Sequence, residues 1–422
     1  MREREMPTER SALPEQGMAW SDIKSELANI AENDFDWRAG RLGVYVFDPG
    51  EDVRAVAKDA YGMFMSENGL GPAAFPSLRR MEEEVVGFGL SLLNAPEDAC
   101  GDMSSGGTES ILLAAKTCRD YWRAAGEEGK TEIVVAHSAH PAFNKAAEYL
   151  GLSVIRVPVA SDFTADVAAI AAAVSERTMM IVGSAPCFPF GVIDDIASLS
   201  AMAEANDIWL HVDACVGGYF APFARMDGVN LPAFDFSLAG VKSMSADLHK
   251  YGFTAKGAST VFYRSAALRE HQLFRFGDWP TGEMATPTIA GTRPGGAIAA
   301  AWAVMRYLGC AGYREKVRTV IKTRERYECG LQAIGGFRFW GQHQLGLLAF
   351  GSDAFDIFAV AEGMRDRGWM SANLRQPKGM HLMLSPGHAD AVESYLTDMF
   401  DTVAEVQSGA RVAVAGGGTR YS

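Results

Sequence analysis

The chain has 422 residues, 48% hydrophobic and 22% charged, with a formal net charge of −13. That is enough apolar material for a large core, and the acidic balance argues against nucleic acid or an anionic membrane as a partner. Six cysteines at 100, 118, 187, 215, 310 and 329 form no CxxC pair, so no metal site is expected and the thiols should be reduced.

The start, Met1-Arg2-Glu3-Arg4-Glu5, lacks the hydrophobic core of a secretory signal, and no apolar run reaches the length of a membrane span. A soluble cytoplasmic protein is expected. The first sixty residues read as an arm with one or two helices. A helix pattern then runs from Phe75-Pro76-Ser77 through Met81, Val85, Val86 and Phe88. Strand-like runs follow at Ile133 to Ala136, Val154 to Val157, Met179 to Gly183, Ile208 to Val212, Phe236 to Ala239 and Thr260 to Tyr263. Helical patterns such as Ala165 to Val174 and Ile196 to Ala205 separate them. This alternation predicts an α/β fold with a mostly parallel central sheet covered on both faces, and functional groups at the strands' carboxyl ends. After Arg293-Pro294-Gly295-Gly296 come a long helical region and strand-like segments near Leu345 to Gly351 and His381 to Leu384. The expected division is an arm over 1–60, a large domain over 61–295, a smaller α+β domain over 296–410, and a tail over 411–422 containing Gly416-Gly417-Gly418.

Five stretches carry candidate chemistry. Ser104-Ser105-Gly106-Gly107-Thr108-Glu109-Ser110 leads into a helix predicted from Ile111 to Arg123. Gly106 and Gly107 let the backbone approach an anion, and Thr108 can cap the helix and offer its hydroxyl. A Gly-rich turn with an ordinary N-cap is the plainer explanation. It is neither a P-loop nor a GxGxxG fingerprint. His140 follows the strand ending at Ala136, where an imidazole can stack on a flat ring or move protons. Capping the next helix is its plainer role, and His137 is the weaker candidate of the two. Asp213, in His211-Val212-Asp213-Ala214-Cys215, ends a strongly apolar strand. A carboxylate there is costly unless paired, and a protonated pyridine nitrogen is a suitable partner. The segment Ser243-Met244-Ser245-Ala246-Asp247-Leu248-His249-Lys250-Tyr251-Gly252 centres on a His-Lys pair. A lysine sheltered from water forms Schiff bases, typically with pyridoxal 5′-phosphate, and Ser245 and His249 are placed to reach that cofactor's phosphate. Lys256 either lowers the pKa of Lys250 by like-charge repulsion or binds an anionic substrate group, the plainer reading being a solvated loop lysine. Last, Thr292 and Arg293 offer a hydroxyl and a guanidinium suited to phosphate, unless they sit in a plain linker.

From about residue 65 to about residue 390 the chain resembles the sphingosine-1-phosphate lyase branch of the pyridoxal-phosphate-dependent group II decarboxylases. The matching stretches are Ser104 to Ser110, Ser138 to Ala147, Gly183 to Asp194, Leu210 to Gly218, Val241 to Gly257 and Pro287 to Gly296. The resemblance implies an aspartate-aminotransferase-like fold and a homodimer with shared active sites. It implies Lys250 as the Schiff-base lysine, Asp213 as the ring-nitrogen partner and His140 as the stacking histidine. Gly106, Gly107, Thr108, Ser245 and His249 would hold the phosphate, with Thr292 reaching it from the other subunit. Lys256 matches a position near the substrate phosphate. On the substrate side this chain carries Gly71 and Ala73 where such lyases tend to have His and Asp. Phe190 replaces a histidine of eukaryotic members, and Met284 a tyrosine. The implied reaction on a small-molecule amine is retro-aldol cleavage of a β-hydroxy amine, such as sphingosine 1-phosphate, to an aldehyde and an amine. The alternatives are an amino-acid decarboxylase and a cofactor-binding protein without turnover.

Overall fold

The computed structural model describes residues 10–412; positions 1–5 and the glycines at 416–418 lie outside them. Three helices precede the main sheet: α1 (Trp20–Ile30), α2 (Glu51–Met63) and α3 (Pro76–Leu92). Pro76 opens α3, where its missing N–H costs nothing. The central sheet holds β1 (Cys100–Ser104), β2 (Glu132–Ala136), β3 (Ser153–Val157), β4 (Thr178–Ser184), β5 (Trp209–Asp213), β6 (Val241–Ala246) and β7 (Ser259–Tyr263), in the order β1-β7-β6-β5-β4-β2-β3. The neighbours from β6 through β3 pair in parallel, whereas β7 runs antiparallel to both β6 and β1. The carboxyl ends of β1, β2, β4, β5 and β6 therefore face one edge of the sheet.

Side-chain alternation explains the layering. Ile133, Val135, Met180, Val182 and Trp209 pack with α4 (Gly107–Ala124) and α5 (Ala142–Leu150) on one face. Val134, Ala136, Ile181, Leu210 and Val212 pack on the other with α6 (Val167–Ala173), α7 (Ile196–Ala205) and α8 (Ala221–Met226). A sheet covered on both faces needs apolar strands throughout, as the sequence has. Beyond β7 come α9 (Ala266–Glu270), the ribbon of β8 (Phe274–Phe276) and β9 (Met284–Thr286), and α10 (Gly295–Ile334), broken at Gly309 where φ is 53°. An antiparallel sheet ordered β10-β11-β13-β12 follows, with β10 (Phe337–Phe339), β11 (Leu347–Ser352), β12 (Ala372–Arg375) and β13 (Lys378–Met383). Helices α11 (Ile357–Asp366) and α12 (Val392–Gln407) pack together beside it.

One strand expectation needs correction, and two strands were not expected. Residues 236–239 form turns pinned by Asp235, whose Oδ1 accepts from the Ser237 N–H at 3.1 Å and hydroxyl at 2.6 Å. The strand that leads to Lys250 is β6, hidden in the sequence by Ser243 and Ser245, whose hydroxyls find buried partners. β1 was not anticipated either: it carries Asp102, which the sequence reads as polar and the fold pairs with Arg269.

Tyr251, just after Lys250, is fully buried between Phe47 and Phe220, and its hydroxyl donates to the Leu384 carbonyl at 2.7 Å. It ties the loop after β6 to the end of β13. Tyr251→Phe should lower unfolding free energy by about 1–3 kcal/mol, because the carbonyl is left buried and unpaired. Denaturant titration checks this, and an unchanged midpoint would contradict it.

Candidate active site

The loops after β1, β2, β5 and β6 enclose a cavity of about 400 Å³ lined by Gly106, Gly107, Thr108, His140, Asp213, His249 and Lys250. Seven predicted residues from four separate stretches thus share one space. One wall is the start of α4. Its N-cap is Gly106, and no side chain caps the helix, so the first-turn N–H groups are left for a guest. Thr108 sits inside the first turn and is not the cap. A Cβ on Gly107 would stand 2.8 Å from both Asp247 Oδ2 and Cys215 Sγ, so only glycine fits. Glu109 accepts from the Ser105 N–H at 2.7 Å and from the Ile289 N–H at 3.0 Å, fastening the loop that carries Thr292 beside this helix start.

Asp213 ends β5, in register with Ser184 of β4 and Ser245 of β6. Its Oδ1 accepts from the Cys215 N–H at 3.1 Å and the Ser245 hydroxyl at 3.4 Å. Ser245 is fully buried and also bonds His211, so it supports Asp213 from behind the cavity wall. His140 Nδ1 accepts the N–H of Ala142, the first residue of α5, at 3.1 Å, while the residue lines the cavity. Its ring meets Phe188 edge-on, with centroids 6.3 Å apart. Burial pushes its pKa down, against the pull of Asp213.

Lys250 meets a partner the sequence reading passed over. Its Nζ stands 2.9 Å from Oδ2 of Asp247, three residues earlier and fully buried. Burial works against the lysine's charge, but Asp247 outweighs it, with help from Cys215 and Asp213, and holds the ammonium above its ordinary range. Of the alternatives for Lys256, a lowering of Lys250 is the one this balance does not favour. Lys256 is the lowered one, to about 8, first by burial of its ammonium and then by Lys250. Its Nζ donates to the carbonyls of Tyr45 at 2.8 Å and His249 at 3.2 Å. It lines a neighbouring cavity of about 840 Å³, which His249 borders from the other side.

Other candidates lie apart. Phe190 is buried with Phe163 and Trp340, while Phe188, two residues earlier, lines the cavity. Met284 pairs with Phe276 in the β8–β9 ribbon. Thr292 borders a small crevice with Ser105 and Glu109. Arg293 is committed to a two-pronged ion pair with Glu82. Asp247 could have been found from its i, i+3 spacing to Lys250. Phe188 gives no such signal, since only the turn decides which phenylalanine faces inward.

The residues present fit pyridoxal 5′-phosphate. Nδ1 of His249 is buried at the cavity with no partner, as a phosphate ligand would be, beside uncapped N–H groups and a glycine that nothing larger can replace. Burial drives His249 down to about 4, against Asp247.

Residues 3–352 match the model of the pyridoxal-dependent decarboxylase conserved domain. The chain is 40% identical to a sphingosine-1-phosphate lyase of Oryza sativa, across 95% of this chain and 76% of the relative, and 38% identical to sphingosine-1-phosphate lyase 1 of Mus musculus, across 97% and 72%. Among solved structures, the sphingosine-1-phosphate lyase of Burkholderia pseudomallei superposes with a TM-score of 0.91 at 36% identity, covering 95% of this chain and 94% of that one. A glutamate decarboxylase of Lactobacillus brevis shares the fold, with a TM-score of 0.83 at 19% identity, covering 94% and 95%.

Replacing Asp247 by Asn should drop the pKa of Lys250 in cofactor-free protein by at least about one unit. An amine-directed reagent would then label Lys250 about tenfold faster at mildly alkaline pH. Equal labelling rates would mean that Asp247 does not control the lysine's charge.

Proposed function

Because the chain belongs to the pyridoxal-dependent decarboxylase family, we propose that it is a carbon–carbon lyase of the sphingosine-1-phosphate lyase kind, splitting a phosphorylated β-hydroxy amine into an aldehyde and a phosphorylated amine. The observation that carries this reading is 35–40% identity to such lyases across more than nine-tenths of the chain, joined to a cavity that gathers Lys250, Asp213 and His140. Pyridoxal 5′-phosphate, when bound, supplies an electron sink for a bond broken at the substrate's α carbon.

The chain's own residues divide the remaining work. Lys250 holds the cofactor covalently. Asp213 pairs the ring nitrogen, while the start of α4 and His249 take the phosphate. His140 packs a ring face: with Nδ1 occupied by the Ala142 N–H, its neutral form carries the proton at Nε2 and donates there, so it orients oxygen and does not strip a proton. Lys250, when not joined to the cofactor, would take the proton of the substrate hydroxyl as an amine and return it to the α carbon, with Asp247 beside it to stabilise the ammonium in between. Lys256, across His249, attracts the substrate phosphate. An amino-acid decarboxylase would need a cation for the α-carboxylate. Among the described residues no arginine lines the cavity: Arg293 is bound by Glu82, and Arg375 stands on β12.

We read the active form as a homodimer. Support comes from α1, which buries none of its residues and exposes Trp20, Leu27 and Ile30, and from Met284 and Thr292, which lie outside their own chain's cavity. They would serve the neighbouring subunit.

Two results test the reading. Holoprotein incubated with phosphorylated β-hydroxy amines should release a trappable aldehyde, and unphosphorylated analogues should react far more slowly. Carbon dioxide from a panel of amino acids, with no aldehyde from any amine, would refute the lyase assignment. The KM for the phosphorylated substrate should rise as pH climbs through about 8, because Lys256 carries its charge below that value and loses it above. Lys256→Gln should start with a high KM and lack this rise; a parallel rise in the variant would assign the effect elsewhere.

A further inference from the structure

Behind Asp213 lies a ladder of polar side chains in an otherwise apolar sheet. Trp209, His211 and Asp213 alternate along one face of β5, and Ser243 and Ser245 along the same face of β6. Register places His211 opposite Ser243 and Asp213 opposite Ser245. Trp209, His211, Ser243 and Ser245 are all fully buried. Trp209 Nε1 lies 2.7 Å from Ser243 Oγ, and Ser243 Oγ lies 2.8 Å from His211 Nδ1. His211 Nε2 lies 3.2 Å from Ser245 Oγ, which is 3.4 Å from Asp213 Oδ1.

The chemistry of the two ends gives this series a direction. An indole N–H only donates and a carboxylate only accepts. Trp209 donates to Ser243, so the Ser243 hydroxyl has its hydrogen left to give, and His211 Nδ1 is the acceptor recorded for it. His211 then carries its proton at Nε2 and donates to Ser245. Cys215 also donates to Ser245 Oγ, at 3.3 Å, so the Ser245 hydrogen is directed to Asp213. In the reverse order Ser243 would receive both Trp209 and His211, and its own hydrogen would be buried without an acceptor, a costly state. Burial keeps His211 neutral, with its pKa near 4, so it has one donor and one acceptor nitrogen as the series requires.

We propose that Trp209, Ser243, His211 and Ser245 form a one-way chain of donation ending on Asp213, which makes His211 and Ser245 positioning residues for the cofactor's ring nitrogen. This rests on the reading that Asp213 is that nitrogen's partner. The donated hydrogen bond aims the Asp213 carboxylate, so that the nitrogen facing it stays protonated. His211 touches neither cofactor nor substrate; Phe143 of α5 covers its ring, with centroids 5.9 Å apart.

The test has two arms. In cofactor-free protein, nitrogen-15 spectra of histidine-labelled samples, assigned to His211 with His211→Gln, should show the proton on Nε2. A proton on Nδ1 would reverse the series and overturn the proposal. In holoprotein carrying nitrogen-15 pyridoxal phosphate, Ser245→Ala and His211→Leu should move the ring-nitrogen signal toward the unprotonated position and raise the cofactor's dissociation constant about tenfold. His211→Gln, whose side-chain amide can still donate to Ser245, should recover most of both. Asp213→Asn is the control. If it shifts the nitrogen signal while Ser245→Ala and His211→Leu do not, the donation chain is wrong and the Asp213 reading stands. If Asp213→Asn itself leaves the signal unmoved, the Asp213 reading falls and the chain's purpose with it.

Discussion

Asp213 and Asp247 are two buried carboxylates on the loop side of one sheet, and most of the site follows from how each is compensated. A buried carboxylate is tolerated only when it is paired or well supplied with hydrogen bonds. Asp247 is held as a carboxylate by Lys250 and, more weakly, His249. Asp213 has a backbone N–H and a serine hydroxyl on one oxygen and faces the cavity. That imbalance calls for a cationic guest, and a protonated ring nitrogen meets it. Lys250, paired with Asp247, is the residue through which we propose the guest becomes attached.

The sheet makes this arrangement possible. β4, β5 and β6 run parallel and in register, so Ser184, Asp213 and Ser245 line up at one edge. The helix that starts at Gly107 opens at the same edge and supplies uncapped N–H groups. Asp213, Lys250 and the start of α4, for which we propose the ring nitrogen, the covalent bond and the phosphate, are thus delivered to one cavity by separate strand ends. Close packing then fixes the spacing, since the carboxylate of Asp247 and the sulfur of Cys215 leave no room for a side chain at position 107.

Much of this was legible in the sequence where a residue's type and its place after an apolar strand coincide. Asp213, His140 and the Gly106-Gly107 turn were found that way. β6 was misplaced because Ser243 and Ser245 look like loop residues until their partners Trp209, His211 and Asp213 are known. The alternatives for Lys256 stayed open, since distance along the chain says nothing about which carboxylate each ammonium meets. Phe190 and Met284 were chosen by correspondence with relatives. The turn at Pro189 instead presents Phe188 to the cavity, and the ribbon carries Met284 away from it.

The central claim is that Lys250 carries the cofactor, and peptide mapping tests it directly. Holoprotein reduced with borohydride and digested with trypsin should yield one pyridoxyl-modified peptide, spanning 243–256 and uncleaved at position 250. Fragmentation should place the modification on Lys250. Modification of Lys256 or any other lysine, with Lys250 cleaved normally, would contradict the account.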